Sequence, residues 1–150
     1  MRRKYRELPP KEDHWMALAF VAAAASAADQ QQGAVLVTPG NEFISLACNA
    51  PPKQLSETDH YRHAELNLLS NKHILTQGCH LYLTHPPCEA CLLEIVSAGI
   101  KKITYYPSDT IQKGINAIVH QAYLQLDIYR GNMNWLRDHV KDLQKQGIFG

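Results

Sequence analysis

Four residues of this chain have side chains that could do chemistry together: His63, Glu65, Cys88 and Cys91. Thiolate sulfur and imidazole nitrogen are ligands that zinc takes, and a catalytic zinc uses three protein ligands and leaves a fourth position to water. His63 with Cys88 and Cys91 supplies such a set. Glu65 adds a carboxylate able to take a proton from that water and give it back. Cys88 and Cys91 share one side of a helix's first turn, and Pro86-Pro87 just before them fits a helix entry. The positive end of a helix also favours thiolate over thiol. His63 and Glu65 pose a geometric problem, because residues two apart on a regular helix point to nearly opposite sides. They converge only where a helix begins, with His63 facing the metal and Glu65 one step into the first turn.

The elements between the two motifs must bring them together. A helix from His63 to Ile74 descends roughly 18 Å at 1.5 Å per residue, and a strand from His80 to His85 climbs back roughly 20 Å at about 3.3 Å per residue. The second helix then starts at the level where the first one started. A purely structural cysteine pair requires no such return. Along the rest of the chain, Asp13 is placed to cap a helix running to about Ala28, with Met16, Leu18, Ala19, Phe20 and Ala23 on its buried side. Residues 34–38 and 42–47 read as strands joined by the turn residues Pro39-Gly40-Asn41. The prolines of Asn49-Ala-Pro-Pro-Lys-Gln exclude helix interior and central strand. Helix is expected from His63 to about Asn71, strand from Cys79 to Thr84, helix from Cys88 to Ala98 with Gly99 past its end, and strand from Lys102 to Tyr106. A helix near 111–121, an ambiguous apolar stretch over 122–129 and a C-terminal helix bearing Met133, Leu136, Val140 and Leu143 complete the chain. Strands alternating with helices after a hairpin give an α/β architecture, a mixed sheet flanked by helices on both faces.

Length and composition bound what such a site serves. With 150 residues, 45% of them hydrophobic, the chain can bury one core and is too short for two ordinary domains. Charged residues are 19% and nearly balanced, for a net charge of +1. That lacks the basic footprint of a protein working on duplex nucleic acid and leaves a small polyanionic ligand open. The leader Met1-Arg-Arg-Lys-Tyr-Arg6 is followed by an alanine-rich stretch that lacks a convincing cleavage site and is too short to span a bilayer, so a cytoplasmic protein without membrane attachment is expected. Of the four cysteines, two form the C-x-x-C, for which metal binding is a better reading than disulfide formation.

Zinc nucleobase deaminases share the signature H-x-E…P-C-x-x-C, and the chain contains it as His63-Ala-Glu65 and Pro87-Cys88-Glu-Ala-Cys91. At these residues it resembles the cytidine deaminase superfamily, and more narrowly the deoxycytidylate (dCMP) deaminases. The resemblance runs from about Asp13 to Tyr106, through Met16-Ala-Leu-Ala-Phe20, Gly33-Ala-Val-Leu-Val37, His63-Ala-Glu-Leu-Asn67, Thr84-His-Pro-Pro-Cys-Glu-Ala-Cys91 and Ser97-Ala-Gly-Ile-Lys-Lys-Ile-Thr-Tyr105. It implies a three-layer α/β/α sandwich with a central mixed sheet of about five strands, one Zn2+ per chain, a small-molecule nucleotide substrate and a homo-oligomer. It implies hydrolytic deamination, most simply of dCMP to dUMP and ammonia, with Glu65 moving the protons. Asn49 matches the asparagine of the family's Asn-Gly-x-Pro segment that contributes to substrate binding, although Ala50 stands where the glycine is usual. Ala64 would offer its backbone N–H to the pyrimidine carbonyl, and Asn67 belongs to the same block. Lys53 and Arg62 are candidate phosphate partners by charge and position, and His85, beside the second zinc helix, is a candidate substrate contact.

Other readings stand beside this one. The same zinc chemistry could act on cytidine, guanine or a tRNA adenosine, and a zinc-stabilised binding module without turnover is a further alternative. An intact Glu65 argues against the last, since a structural site has no use for an acid at an open coordination position. Cys48 and Cys79 read as ordinary buried cysteines on strands. Trp135 and the Met133 stripe read as core or subunit interface, and the remaining histidines carry no motif.

Overall fold

The computed structural model describes residues 11–50, 63–70, 74–108 and 115–146. Lys53 and Arg62 lie outside these segments, as does the leader. The elements in order are α1 (Lys11–Ala24), β1 (Gly33–Val37), β2 (Phe43–Cys48), α2 (Ala64–Leu69), β3 (His80–Leu83), α3 (Glu89–Ser97), β4 (Lys102–Tyr105), α4 (Ile115–Ala122), β5 (Gln125–Ile128) and α5 (Met133–Lys145). The strands form one mixed sheet in the order β2-β1-β3-β4-β5. β1 is antiparallel to β2 and β3, whereas β3, β4 and β5 run parallel. Two helical crossovers, through α3 and α4, connect the parallel strands, as parallel pairing requires.

Side-chain alternation divides the core into two layers. Ala34 and Leu36 of β1 pack with Leu81 and Leu83 of β3 against Ala64, Leu68, Leu92 and Ile95 of α2 and α3. Val35, Val37 and Tyr82 face the other way, onto Met16, Ala19, Leu136 and Leu143 of α1 and α5. The three layers implied by the resemblance are therefore present. Gly33 opens β1 because α1 lies against it: a Cβ there would stand 1.9 Å from the Ala19 carbonyl oxygen. Gly99, at φ +81, turns the chain out of α3 toward β4.

Several expectations are corrected. Asp13 is not a cap, since the helix already includes Lys11; its buried carboxylate instead accepts a hydrogen bond from the Tyr129 hydroxyl. The helix stops at Ala24, not near Ala28. Ser26 Oγ accepts from Ala28 N–H and donates to the Asn49 carbonyl, offering this backbone a non-helical solution. α2 spans only six residues and ends at Leu69, short of the helix expected to about Asn71. The ambiguous stretch contains β5, which pairs with β4 from Gln125 to Ile128. Cys79 is buried as expected, but Cys48 is only half-buried because β2 is an edge strand. No helix among the described residues is long and apolar enough to cross a membrane.

His80 begins β3 with its Nε2 2.8 Å from Thr104 Oγ1 and its ring stacked on Tyr82. Burial, aided by the charge of Lys102, pushes its pKa down to about 4. Because that lies below the ordinary value near 6.5, protons favour the unfolded chain. The stability contribution is complete above pH 6.5 and is lost as the pH falls toward 4. Urea midpoints should therefore decline over this window, and His80→Gln, which cannot titrate, should show a smaller decline than the parent protein.

Candidate active site

Both zinc-motif helices begin beside the end of β3. His63 is the N-cap of α2, with extended backbone (φ −62, ψ 151), and Cys88 is the N-cap of α3 (φ −81, ψ 167). Starting outside the helix is what frees His63 from helical geometry, so that it faces the cysteines while Glu65 sits in the first turn. The Cys88 sulfur accepts a hydrogen bond from the backbone N–H of Cys91, 3.3 Å away, which turns both sulfurs to one side. His63 Nδ1 lies 3.0 Å from the Cys91 sulfur and 3.5 Å from the Cys88 sulfur. Among the described residues, these are the one group of three whose donor atoms converge, all within 4.8 Å of one another.

The donor set suits zinc in type and spacing. A tetrahedral site with bonds of about 2.0–2.3 Å has edges of roughly 3.3–3.8 Å, close to the separations here, and one imidazole with two sulfurs leaves a fourth position open. A hydrogen bond from the Cys91 thiol and then one from His63 hold the Cys88 thiol well below its usual range. Cys91 is pushed up, first by that same bond and then by burial. A cation arriving among them replaces the shared protons.

Glu65 is fully buried. Burial alone would push its carboxyl up, but a hydrogen bond from His85 and the charge of His85 outweigh burial, and the net shift is downward. His85 Nε2 is 3.1 Å from each carboxylate oxygen. The expected substrate residue is thus in contact with the expected acid and base, a pairing that spacing alone gave no sign of.

Of the other sequence-derived candidates, Asn67, Ala64 and Asn49 lie among the described residues. Asn67, on α2, donates from Nδ2 to the Cys48 carbonyl, 2.9 Å away, and ties the helix to the end of β2. Ala64, fully buried, is the first residue of α2, so its N–H is one that the helix itself cannot use. Asn49 is buried, and its amide is engaged with its own chain: Nδ2 donates to the Gln30 carbonyl and Oδ1 accepts from Gln32 N–H. Thr84 clamps the start of β1, its Oγ1 accepting from Gly33 N–H at 2.9 Å. That residue was missed, although its position just before His85 at the end of a strand was a usable signal.

Three thiolate and imidazole donors around an open position, with a buried carboxylate beside them on an α/β/α sandwich, define a metal-dependent hydrolytic enzyme. The family model described as the cytidine and deoxycytidylate deaminase zinc-binding region matches residues 9–107, and the chain belongs to that family of hydrolytic deaminases. The deoxycytidylate deaminases of Homo sapiens and Pongo abelii are 30% identical to it over 122 residues, 69% of this chain and 67% of theirs. In fold, the chain is similar to the dCMP deaminase of cyanophage S-TIM5 in its apo form (TM-score 0.66, 23% identity, 81% of this chain and 100% of that one). The same phage enzyme in complex with dCMP and dUMP gives a TM-score of 0.65 at 22% identity, covering 82% of this chain and 100% of that one.

Two outcomes follow from this geometry. Elemental analysis should find one zinc per chain, and Cys91→Ala should lower that content and the melting temperature together. His85→Leu should retain zinc but lose about tenfold or more in kcat, while His85→Gln, which keeps a donor near Glu65, should recover part of the loss; kcat unchanged in His85→Leu would remove His85 from the proton-transfer machinery.

Proposed function

We propose that the chain deaminates a free cytosine nucleotide, dCMP to dUMP and ammonia. The observation that carries this reading is the burial of Glu65 at the opening turn of α2, beside the three donors and in contact with His85. The relatives support the choice of substrate, since those at 30% identity are deoxycytidylate deaminases and the phage neighbour binds dCMP and dUMP. His63, Cys88 and Cys91 would hold the zinc, which would supply the Lewis acidity that lets water add near neutral pH. Glu65, with its pKa lowered, accepts a proton from the attacking water as oxygen bonds to the amino-bearing ring carbon. It delivers that proton to the adjacent ring nitrogen, then takes the second proton from the added hydroxyl and passes it to the amino group, which leaves as ammonia as that oxygen becomes the carbonyl. Ala64 N–H holds the pyrimidine carbonyl, Asn49 and Asn67 fix the walls near the sugar, and Lys53 and Arg62 meet the phosphate. Each amide of Asn49 and Asn67 keeps hydrogen-bonding capacity beyond the bonds it makes to its own chain.

We read the chain as one deaminase domain that acts in the cytoplasm as a homo-oligomer. Its four cysteines make no disulfide with one another, and the exposed side chains of Phe43 and Leu93 offer apolar surface that a second copy would cover. Ammonia release from the zinc-loaded protein over dCMP, CMP, dCTP, deoxycytidine, cytidine, adenosine and guanine tests the substrate. Turnover of dCMP above the others is the expected result; a preference for another compound would keep the chemistry and discard the substrate. Glu65→Ala should keep its zinc and lose roughly a thousandfold or more in kcat.

A further inference from the structure

Gln32 directly precedes β1, and the pairing of β1 continues past the strand's formal end. Gly33 and Thr84 exchange hydrogen bonds, Thr84 N–H donating to the Gly33 carbonyl at 3.1 Å while Thr84 Oγ1 accepts from Gly33 N–H. Ala34 faces Leu83 in the β1–β3 ladder, and these hydrogen bonds hold Gly33 beside Thr84, where the chain bends from β3 into His85. On the other side Gly33 faces Cys48, and Asn49 N–H donates to the Gln32 carbonyl at 3.0 Å, so Gln32 also faces Asn49. Directly opposed residues on neighbouring strands share a face. Gln32 has the parity of Ala34 and Leu36, which pack against α2 and α3. Asn49 and Gln32 therefore lie side by side at the sheet's end on the zinc-helix side, and Gly33, next to Gln32, is bonded to Thr84, whose neighbour His85 touches Glu65.

At this end of the sheet the polar groups differ in one respect. Both ends of the Asn49 amide are bonded, and His85 is bonded to Glu65. The side-chain carbonyl oxygen of Gln32 is buried with no hydrogen-bond partner among the described residues. A buried acceptor left unpaired costs stability, and such groups are retained where a ligand satisfies them. We infer that Gln32 is a specificity-determining residue whose Oε1 accepts a hydrogen bond from the bound nucleoside. The chemistry required is a single N–H or O–H donor, and two parts of a nucleoside supply one: the sugar hydroxyls and the exocyclic amino group of the base. This inference rests on the reading that the site takes a nucleotide; it adds which residue of the floor reads it.

Gln32→Met tests the inference, because methionine has nearly the same length and removes both polar atoms. In the zinc-loaded protein, the variant should melt a few degrees higher, since the unpaired acceptor is gone. It should also lose about tenfold in kcat/KM on whichever member of the substrate panel the parent enzyme turns over best. Gln32→Glu, which keeps an acceptor oxygen, should lose less. The analogue lacking the 3′-hydroxyl separates the two donors. If the sugar is read, parent and variant deaminate 2′,3′-dideoxy-CMP with the same kcat/KM; if the amino group is read, the tenfold gap persists. An unchanged kcat/KM in Gln32→Met, or a lower melting temperature with activity intact, overturns the inference and leaves Gln32 as packing. A parent enzyme that prefers another nucleoside overturns the dCMP reading alone, because the comparison of variants is then made on that compound.

Discussion

Two helix N-termini meeting at one point is the constraint from which the rest of this architecture follows. Each brings unsatisfied backbone N–H groups and a partial positive charge, and neither end would be stable facing the other without negative charge between them. Cys88 supplies it as a thiolate held by the Cys91 N–H, and Glu65 supplies it in the first turn of α2. The sheet exists at the right depth to make the meeting possible: β3 delivers the chain from the far side to Thr84, and β1 is clamped to that level through Gly33. Gly33 in turn can hold its place only because it has no side chain, the Ala19 carbonyl occupying the space that a Cβ would need.

Much of this was legible in the sequence, and the parts that were not have physical reasons. His63, Glu65, Cys88 and Cys91 could be read because coordination chemistry limits which residues hold zinc and how far apart they stand. The sandwich followed from strands alternating with helices. The length of α2 did not, because the apolar periodicity that continues toward Ile74 does not show where backbone hydrogen bonding ends. β5 was hidden because four residues of mixed polarity on a sheet edge carry no alternation strong enough to separate strand from helix. Asp13 was misread because a short polar residue before an apolar run serves a cap and a buried acceptor equally well, and only Tyr129, far along the chain, decides between them.

The contact between His85 and Glu65 belongs to a different class of unknown. It is a tertiary pairing across elements, fixed by the side to which the end of β3 turns its residues, and no spacing rule encodes it. Once the ladder is known, strand parity assigns Gln32 and Asn49 to one face. What the sequence lacked was the register, which the Gly33 clamp to Thr84 sets.

His63 and Cys88 lie 25 residues apart, and a cation bound by both closes that stretch into a loop. Holding its ends together costs an unbound chain conformational entropy, which the metal offsets only in the folded state. Metal supply and the persistence of the folded protein are thereby joined. When zinc is scarce, chains with empty sites unfold more often and are exposed to proteolysis, so scarcity thins the population of molecules as well as silencing the ones that remain.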